Sequence, residues 1–295
     1  MTNMLIGQQG NRQKENSLVL QKPTKTALAK RLGIHRSMLY YQHKRPAIDE
    51  EIKRQIEAAL SKNPAYGHKR LAMALKLNKK RIRRIMKKFG IKPYRRRAKL
   101  LRKKDDEGKA AVENSVNIYK LLCPISINIV WVSDFTYIKF QGKFIYLATI
   151  MDMYTREIIG IAVSRFHNKN LVMEAFMDAE KKTGTYPLYL HSDQGSEYTS
   201  EEYKIYVRGK QTILSFAEKG SPWQNGFQES FYQGFKLDLG DVNRFETIGE
   251  LIEGIYQTMY YYNNERIHTA LKMSPVAFKK AFLKSRDKLS NNMGT

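Results

Sequence analysis

The chain has 295 residues, 42% of them hydrophobic, enough for two or three domains around a sizeable core. Its formal charge of +24 is lopsided: residues 1–120 carry 32 Lys/Arg against 9 Asp/Glu, while residues 121–295 carry 20 against 19. The single cysteine, Cys123, excludes a disulfide framework and any zinc site built on two or more cysteines. The longest apolar run, residues 144–151, is far below the ~20 residues that span a bilayer.

The N-terminus "MTNMLIGQQGNRQKENS" has no apolar signal-peptide core, so the expectation is a soluble cytoplasmic protein without a membrane partner. A cationic block of this size calls for a polyanion, and nucleic acid is the leading candidate. A membrane surface comes second, because no long basic amphipathic stripe is backed by Trp or Phe.

Residues 1–23 are polar and read as a flexible N-terminus. Residues 24–46 read as a helix–turn–helix, with Ala27, Leu28, Leu32, Ile34 and Leu39 forming a small core around a turn at Gly33. An ordinary helical hairpin fits that pattern too. Residues 47–92 read as a second helical DNA-binding domain. Its first helix, "DEEIKRQIEAALSKN", places acids in the first turn, as the helix dipole favours. "YGHKRLAMALKL" follows, then "NKKRIRRIMKKFG", with Asn78 as N-cap and Gly90 as C-terminal stop. Between them Ile82, Ile85, Met86 and Phe89 make one apolar stripe. Lys79, Lys80, Arg81, Arg83, Arg84, Lys87 and Lys88 fill the rest, a distribution suited to a DNA groove. Residues 93–122 read as a basic linker whose Arg95, Arg96, Arg97 and Arg102–Lys104 clusters touch phosphates.

From residue 123 to 283 the texture changes. "NIVWVSDFTYIKF", "KFIYLATIMDMY" and "REIIGIAVS" predict three antiparallel strands, the first two joined at Gln141-Gly142. A helix ending at Gly184 comes next, then a strand ending at Asp193, a helix over "SEEYKIYVRGK" and a strand over "TILSFA". This is an α/β layer with a mixed five-stranded sheet flanked by helices. Two further helices cover "ETIGELIEGIYQTMYYYNNER" and "SPVAFKKAFLK", and residues 284–295 read as a flexible tail.

The stretch "GSPWQNGFQESFYQGFK" holds one carboxylate, Glu229. Ser221, Pro222 and Gln224 predict a helix start with a capping box. On that helix Asn225, Glu229, Tyr232 and Lys236 share one outward face, and Trp223, Phe227 and Phe231 form the anchoring stripe. A lone carboxylate binds Mg2+ poorly, so acids at strand ends are sought: Asp134 in the first strand and Asp193 just after the fourth. Asp152 reads as a structural partner of Arg156, and Glu197 competes as a ligand. Trp131, His191, His268 and the tyrosines of "MYYYNNER" read as packing residues.

Asp134, Asp193 and Glu229, with 35 residues between the last two and a cation seven positions on, resemble the DDE recombinases. "WVSDFTYI", "HSDQGSEYTS", "GSPWQNGFQESFYQGFK" and "YYNNERIHTALKMSPVAF" resemble the second-frame (OrfB) transposases of the IS-three group of bacterial insertion sequences. "PAYGHKRL" and "NKKRIRRIMKKFGIKP" resemble that group's DNA-binding segment. The resemblance spans about residues 24–283 and implies an RNase H-like, retroviral-integrase-like catalytic core. It further implies that Asp134, Asp193 and Glu229 hold two Mg2+ ions, for which Mn2+ substitutes, and that Asn225 and Lys236 contact DNA. The implied chemistry is strand cleavage followed by attack of a 3′-OH on another strand. The implied partners are double-stranded DNA at the element's terminal inverted repeats and at the target, a second copy of the chain at least, and an upstream-frame OrfA product. The implied setting is bacterial cytoplasm at the nucleoid. A non-catalytic DNA-binding regulator and an RNase H-type nuclease are the alternatives.

Overall fold

The computed structural model describes residues 24–40, 45–95, 124–218 and 222–293, the side chains of 222, 223 and 288–293 excepted. The expected flexible N-terminus, most of the basic linker with Arg96 and Arg97, Cys123 and the capping residue Ser221 lie outside them. The chain parts into two compact units at Glu50/Glu51.

In the first unit α1 (Lys25–Arg31) starts at Thr24, whose hydroxyl accepts the Ala27 N–H. The chain turns through Gly33 at φ +64° and then forms a 3-10 turn (Arg36–Tyr40), not the second α-helix of a helix–turn–helix. The expected five-residue core does not form either. Leu32 and Ile34 are exposed, and Ala29 is the buried residue. Five short apolar side chains within 13 residues enclose too little volume without a partner surface.

α2 (Arg45–Lys62) crosses into the second unit. It begins four residues earlier than the acids suggested, with Pro46 in its first turn, where a missing N–H costs nothing. Together with α3 (His68–Ala74) and α4 (Lys79–Lys88) it encloses Ile52, Ile56, Tyr66, Leu71, Ile82, Ile85 and Met86. α4 matches its pattern. Asn78 accepts the Lys80 N–H at 2.8 Å, Gly90 closes the helix at φ +65°, and all seven cations are exposed.

The sheet is built from β1 (Val130–Phe140), β2 (Lys143–Asp152), β3 (Ile158–Ser164), β4 (Tyr189–Ser192) and β5 (Ile213–Phe216), in the order β3-β2-β1-β4-β5. β1, β2 and β3 form an antiparallel meander, while β4 and β5 run parallel to β1. Gln141 and Gly142 both take positive φ, the conformation of a tight hairpin turn. α5 (Lys169–Thr183) is capped by the Asn168 side chain and stopped by left-handed Gly184. It packs so closely on β3 that a Cβ at Gly160 would stand 2.2 Å from the Ala175 carbonyl oxygen. α6 (Ser196–Thr199) and α7 (Glu201–Arg208) complete that face, whose core includes Trp131, Phe176 and Tyr203. α8 (Gly226–Leu239) and α9 (Ile248–Asn264) cover the other face, burying Phe231, Phe235, Leu251 and Ile255 against Leu147 and Met151.

α10 (Pro275–Met293) extends through most of the expected tail, because "KSRDKLSNNM" contains neither Gly nor Pro to stop it. Among the described residues no helix is long and apolar enough to cross a membrane.

Candidate active site

Strand register brings the two aspartates together. β1 pairs β4 in parallel with Val130 opposite Tyr189, Trp131 opposite Leu190 and Val132 opposite His191. Carried two residues further, that register sets Asp134 level with Asp193 on neighbouring strands. β4 ends at Ser192, so Asp193 stands in the loop at the carboxyl end of the strand. Each aspartate has one oxygen engaged locally: Asp134 Oδ1 accepts the Phe135 N–H at 2.8 Å, and Asp193 Oδ1 the Gly195 N–H at 3.0 Å.

The electrostatics are those of acids without enough cation. Burial pushes the Asp134 carboxyl well above the usual carboxylate range, and the charge of Asp193 pushes the same way. Glu229 adds to this, while the Phe135 N–H and Lys236 oppose it. Asp193 is also raised, first by burial and then by Glu197, against the Gly195 N–H. Glu197 stands close by. A Cβ on Gly195 would lie 3.0 Å from Glu197 Oε2 and 3.1 Å from Asp193 Oδ1, so the two carboxylates are within about 6 Å of each other. Glu197 is buried, and its Oε1 lies 2.9 Å from His167 Nδ1.

α8 is pinned to β1 by two of its side chains. Gln228 Nε2 donates to the Val132 carbonyl at 2.6 Å. Tyr232, expected on the outward face, is buried, and its hydroxyl donates to the Asp134 carbonyl at 2.7 Å. Thr149 ties both from β2, at 3.1 Å to Gln228 Oε1 and 2.8 Å to the Tyr232 hydroxyl. The helix therefore turns its Gln228/Tyr232 edge inward along with Phe231 and Phe235, because the sheet offers carbonyls there that need donors. Glu229, between them, remains exposed in the first turn. Lys236 Nζ donates to Thr136 Oγ1 at 2.6 Å and lies 5.2 Å over the Tyr137 ring.

The start of α8 also differs from expectation. A 3-10 turn (Pro222–Asn225) precedes it, and the capping box with Ser221 lies outside the described residues. Gln224 Oε1 accepts the Glu218 N–H at 2.6 Å, tying the exit of β5. Asn225, expected to face outward toward DNA, is buried, with no partner for its Oδ1. A residue that closes a 3-10 turn leading into a packed helix is drawn under it, so the outward reading of Asn225 is corrected. Phe227 lies under the Arg156 guanidinium at 3.6 Å; the side chain of Trp223 lies outside the described residues.

Of the other candidates, Asp152 accepts the N–H groups of Asn128, Tyr154 and Thr155 and the Thr155 hydroxyl, and its carbonyl accepts the Arg156 N–H at 2.9 Å, a turn-building role. Trp131 is fully buried against Phe176. His191 is buried with Nδ1 2.8 Å from Ser215 Oγ, and burial lowers it to about 4. Arg95 turns back to donate to the Ala65 carbonyl at 3.0 Å.

Among the described residues no three of His, Cys, Asp and Glu stand together so as to hold a metal ion. Asp134 and Asp193 nonetheless suit an oxygen-preferring divalent cation. One lies on β1 and the other just past the end of the neighbouring β4, each has one oxygen fixed by a backbone donor, and both are raised by burial and by acidic neighbours.

Residues 126–222 and 210–275 each match a family profile described as Integrase core domain. The transposase for insertion sequence element IS904 of Lactococcus lactis is 31% identical over 253 residues, covering 81% of this chain and 98% of its own length. The IS600 31 kDa protein of Shigella sonnei is 30% identical over 85% of this chain and 96% of its own. The putative transposase InsK of IS150 from Escherichia coli is 26% identical over 83% and 90%. Similarity that runs nearly the full length of these relatives takes in the basic helices as well as the sheet and its acids, and the chain belongs to the DDE transposases of bacterial insertion sequences.

Proposed function

We propose that Asp134, Asp193 and Glu229 together hold divalent cations against a phosphodiester of the element's end, Mg2+ in the cell and Mn2+ as a substitute. Bound there, such ions supply charge neutralisation for the attacking and leaving oxygens of phosphoryl transfer. The chain's own residues do the rest. β1 and β4 pair in parallel just before the two aspartates, and Gln228 and Tyr232 fasten α8, the helix that carries Glu229, to β1. Lys236, one pleat beyond Asp134 beside Thr136, takes a phosphate oxygen of the substrate strand. The basic face of α4, with Lys79, Lys80, Arg83, Arg84 and Lys87, seats the end DNA. The products are a cleaved strand and, after attack by its 3′-OH, a joined one. Pairing of two ends requires at least two copies of the chain.

The observation that supports this reading best is Asp134, a half-buried carboxyl raised by burial and by the charges of Asp193 and Glu229 against the Phe135 N–H and Lys236. The test incubates the full chain with labelled end DNA and Mg2+ or Mn2+. Cleavage and joining of duplex ends are expected from the wild type, with Asp134→Asn inactive yet binding the same DNA. Joining by Asp134→Asn would remove it from the site, and preference for an RNA–DNA hybrid would make the enzyme a nuclease of the same fold.

A further inference from the structure

α8 carries Glu229 in its first turn, and its last turn is tied to the loop between α9 and α10. Arg266 Nε lies 2.5 Å from Asp238 Oδ2, and both side chains are almost fully buried. Gly234, one turn before Asp238, makes room for this. A Cβ there would be 2.9 Å from Arg266 Nη2, so the guanidinium lies directly against the helix. A buried pair held this closely resists sliding or rotation of α8, because separating it strands a charge out of water.

The next residue in the loop, Ile267, is held by the helical DNA-binding unit. Its N–H donates to the Tyr66 hydroxyl at 2.8 Å, and its carbonyl accepts the Arg70 Nε–H at 2.9 Å. Its side chain packs against the same small core that buries Ile82, Ile85 and Met86 of α4. One helical turn before the loop, the Tyr261 hydroxyl donates to Asn63 Oδ1. The charges at this junction act on one another: burial lowers Arg70, Arg266 lowers it further, and Asp238 opposes. Both main-chain polar groups of one residue are thus satisfied by side chains about two hundred positions away. The adjacent residue grips the helix that bears the proposed metal acid.

We infer that Arg266 is a positioning residue for Glu229, and that the hold of Tyr66 and Arg70 on Ile267 transmits the seating of DNA on α4 to α8. End binding then sets the orientation of Glu229, and strand transfer proceeds only on a chain that has its end in place. This rests on the reading of Glu229 as a member of the acid set.

The test uses the full chain and four forms: wild type, Tyr66→Phe, Arg70→Met and Arg70→Lys. Tyr66→Phe keeps the buried ring and removes the hydroxyl that accepts from Ile267 and meets the Tyr261 hydroxyl; Arg70→Lys keeps a charge and a donor. Strand-transfer rate is measured against end-DNA concentration, and amide hydrogen exchange is monitored with and without end DNA. Tyr66→Phe and Arg70→Met are expected to leave the half-saturating DNA concentration within about twofold and to lower the maximal rate about tenfold, the size of an ordinary coupling between sites. Arg70→Lys recovers most of that rate. End DNA slows exchange in α4 and α8 of the wild type, but only in α4 of the two uncoupled variants. Unchanged maximal rate with retained protection of α8 overturns the inference, as does a rate loss in Arg70→Lys equal to that in Arg70→Met. Should Arg70→Met not fold, Tyr66→Phe decides alone. Asp134→Asn runs in parallel: activity there sinks the acid set, while the exchange result still judges the coupling.

Discussion

Replacing Asp134 by Asn separates the cost of the site from its use. In the metal-free protein the Asp134 carboxyl is raised by burial, Asp193 and Glu229. A group whose folded pKa lies above its unfolded value favours folding when protonated, and that contribution is lost as pH rises through the folded pKa. An ionised Asp134 therefore costs the metal-free fold stability at pH 8. Asn cannot ionise, and the metal-free variant is therefore more stable than wild type at pH 8, with the difference shrinking toward pH 4. The gain is read as a higher Tm of the variant in the absence of metal. Divalent metal reverses the order. A site filled at a hundredfold excess over Kd adds about 2.7 kcal/mol to wild type and little to the variant. The assay is thermal unfolding of both proteins at pH 5 and pH 8, with EDTA and then with a Mn2+ titration. A variant less stable than wild type in EDTA at pH 8, or equally stabilised by Mn2+, would refute the reasoning.

Packing and charge lead to two further outcomes. Arg83→Ala with Arg84→Ala removes two exposed cations from α4, weakening end binding and reducing the slope of log K against log salt by about 1.8 if both neutralise phosphates; an unaltered slope places that face away from DNA. Gly160→Ala drives a methyl to 2.2 Å from the Ala175 carbonyl oxygen, so α5 must shift off β3 at a cost of roughly 1–3 kcal/mol, visible as a lower urea midpoint with an unchanged m-value.

Local chemistry made much of this molecule legible in advance. The α4 stripe with its Asn78 cap and Gly90 stop, the Gln141-Gly142 hairpin and the Asn168/Gly184 bounds of α5 each depend on residues within a few positions of one another. So does the alternation that marks β1 and β2 as strands. The three acids were visible as candidates, but only by type and spacing. What the chain could not disclose locally was which partner each polar side chain would find. Tyr232 looks solvent-facing beside Glu229 until β1 presents a carbonyl to it, and nothing in the sequence marks Gln228 as its neighbour in that role. Asn225 looks like a helix-surface amide until the 3-10 turn buries it. The small core expected around Gly33 fails because nothing nearby covers Leu32 and Ile34.

Sequence alone therefore determined the elements, their order, and the segregation of cationic helices from a nearly neutral sheet domain, since propensity, capping and charge act over a few residues. Tertiary structure alone decided that Asp134 is level with Asp193, that α8 turns its Gln228/Tyr232 edge inward, and that Ile267 rests in the grip of Tyr66 and Arg70. Those contacts join residues from about sixty to two hundred positions apart, and no period or cap signals them. They exist because buried donors and acceptors must be paired, and only the assembled fold fixes which ones meet.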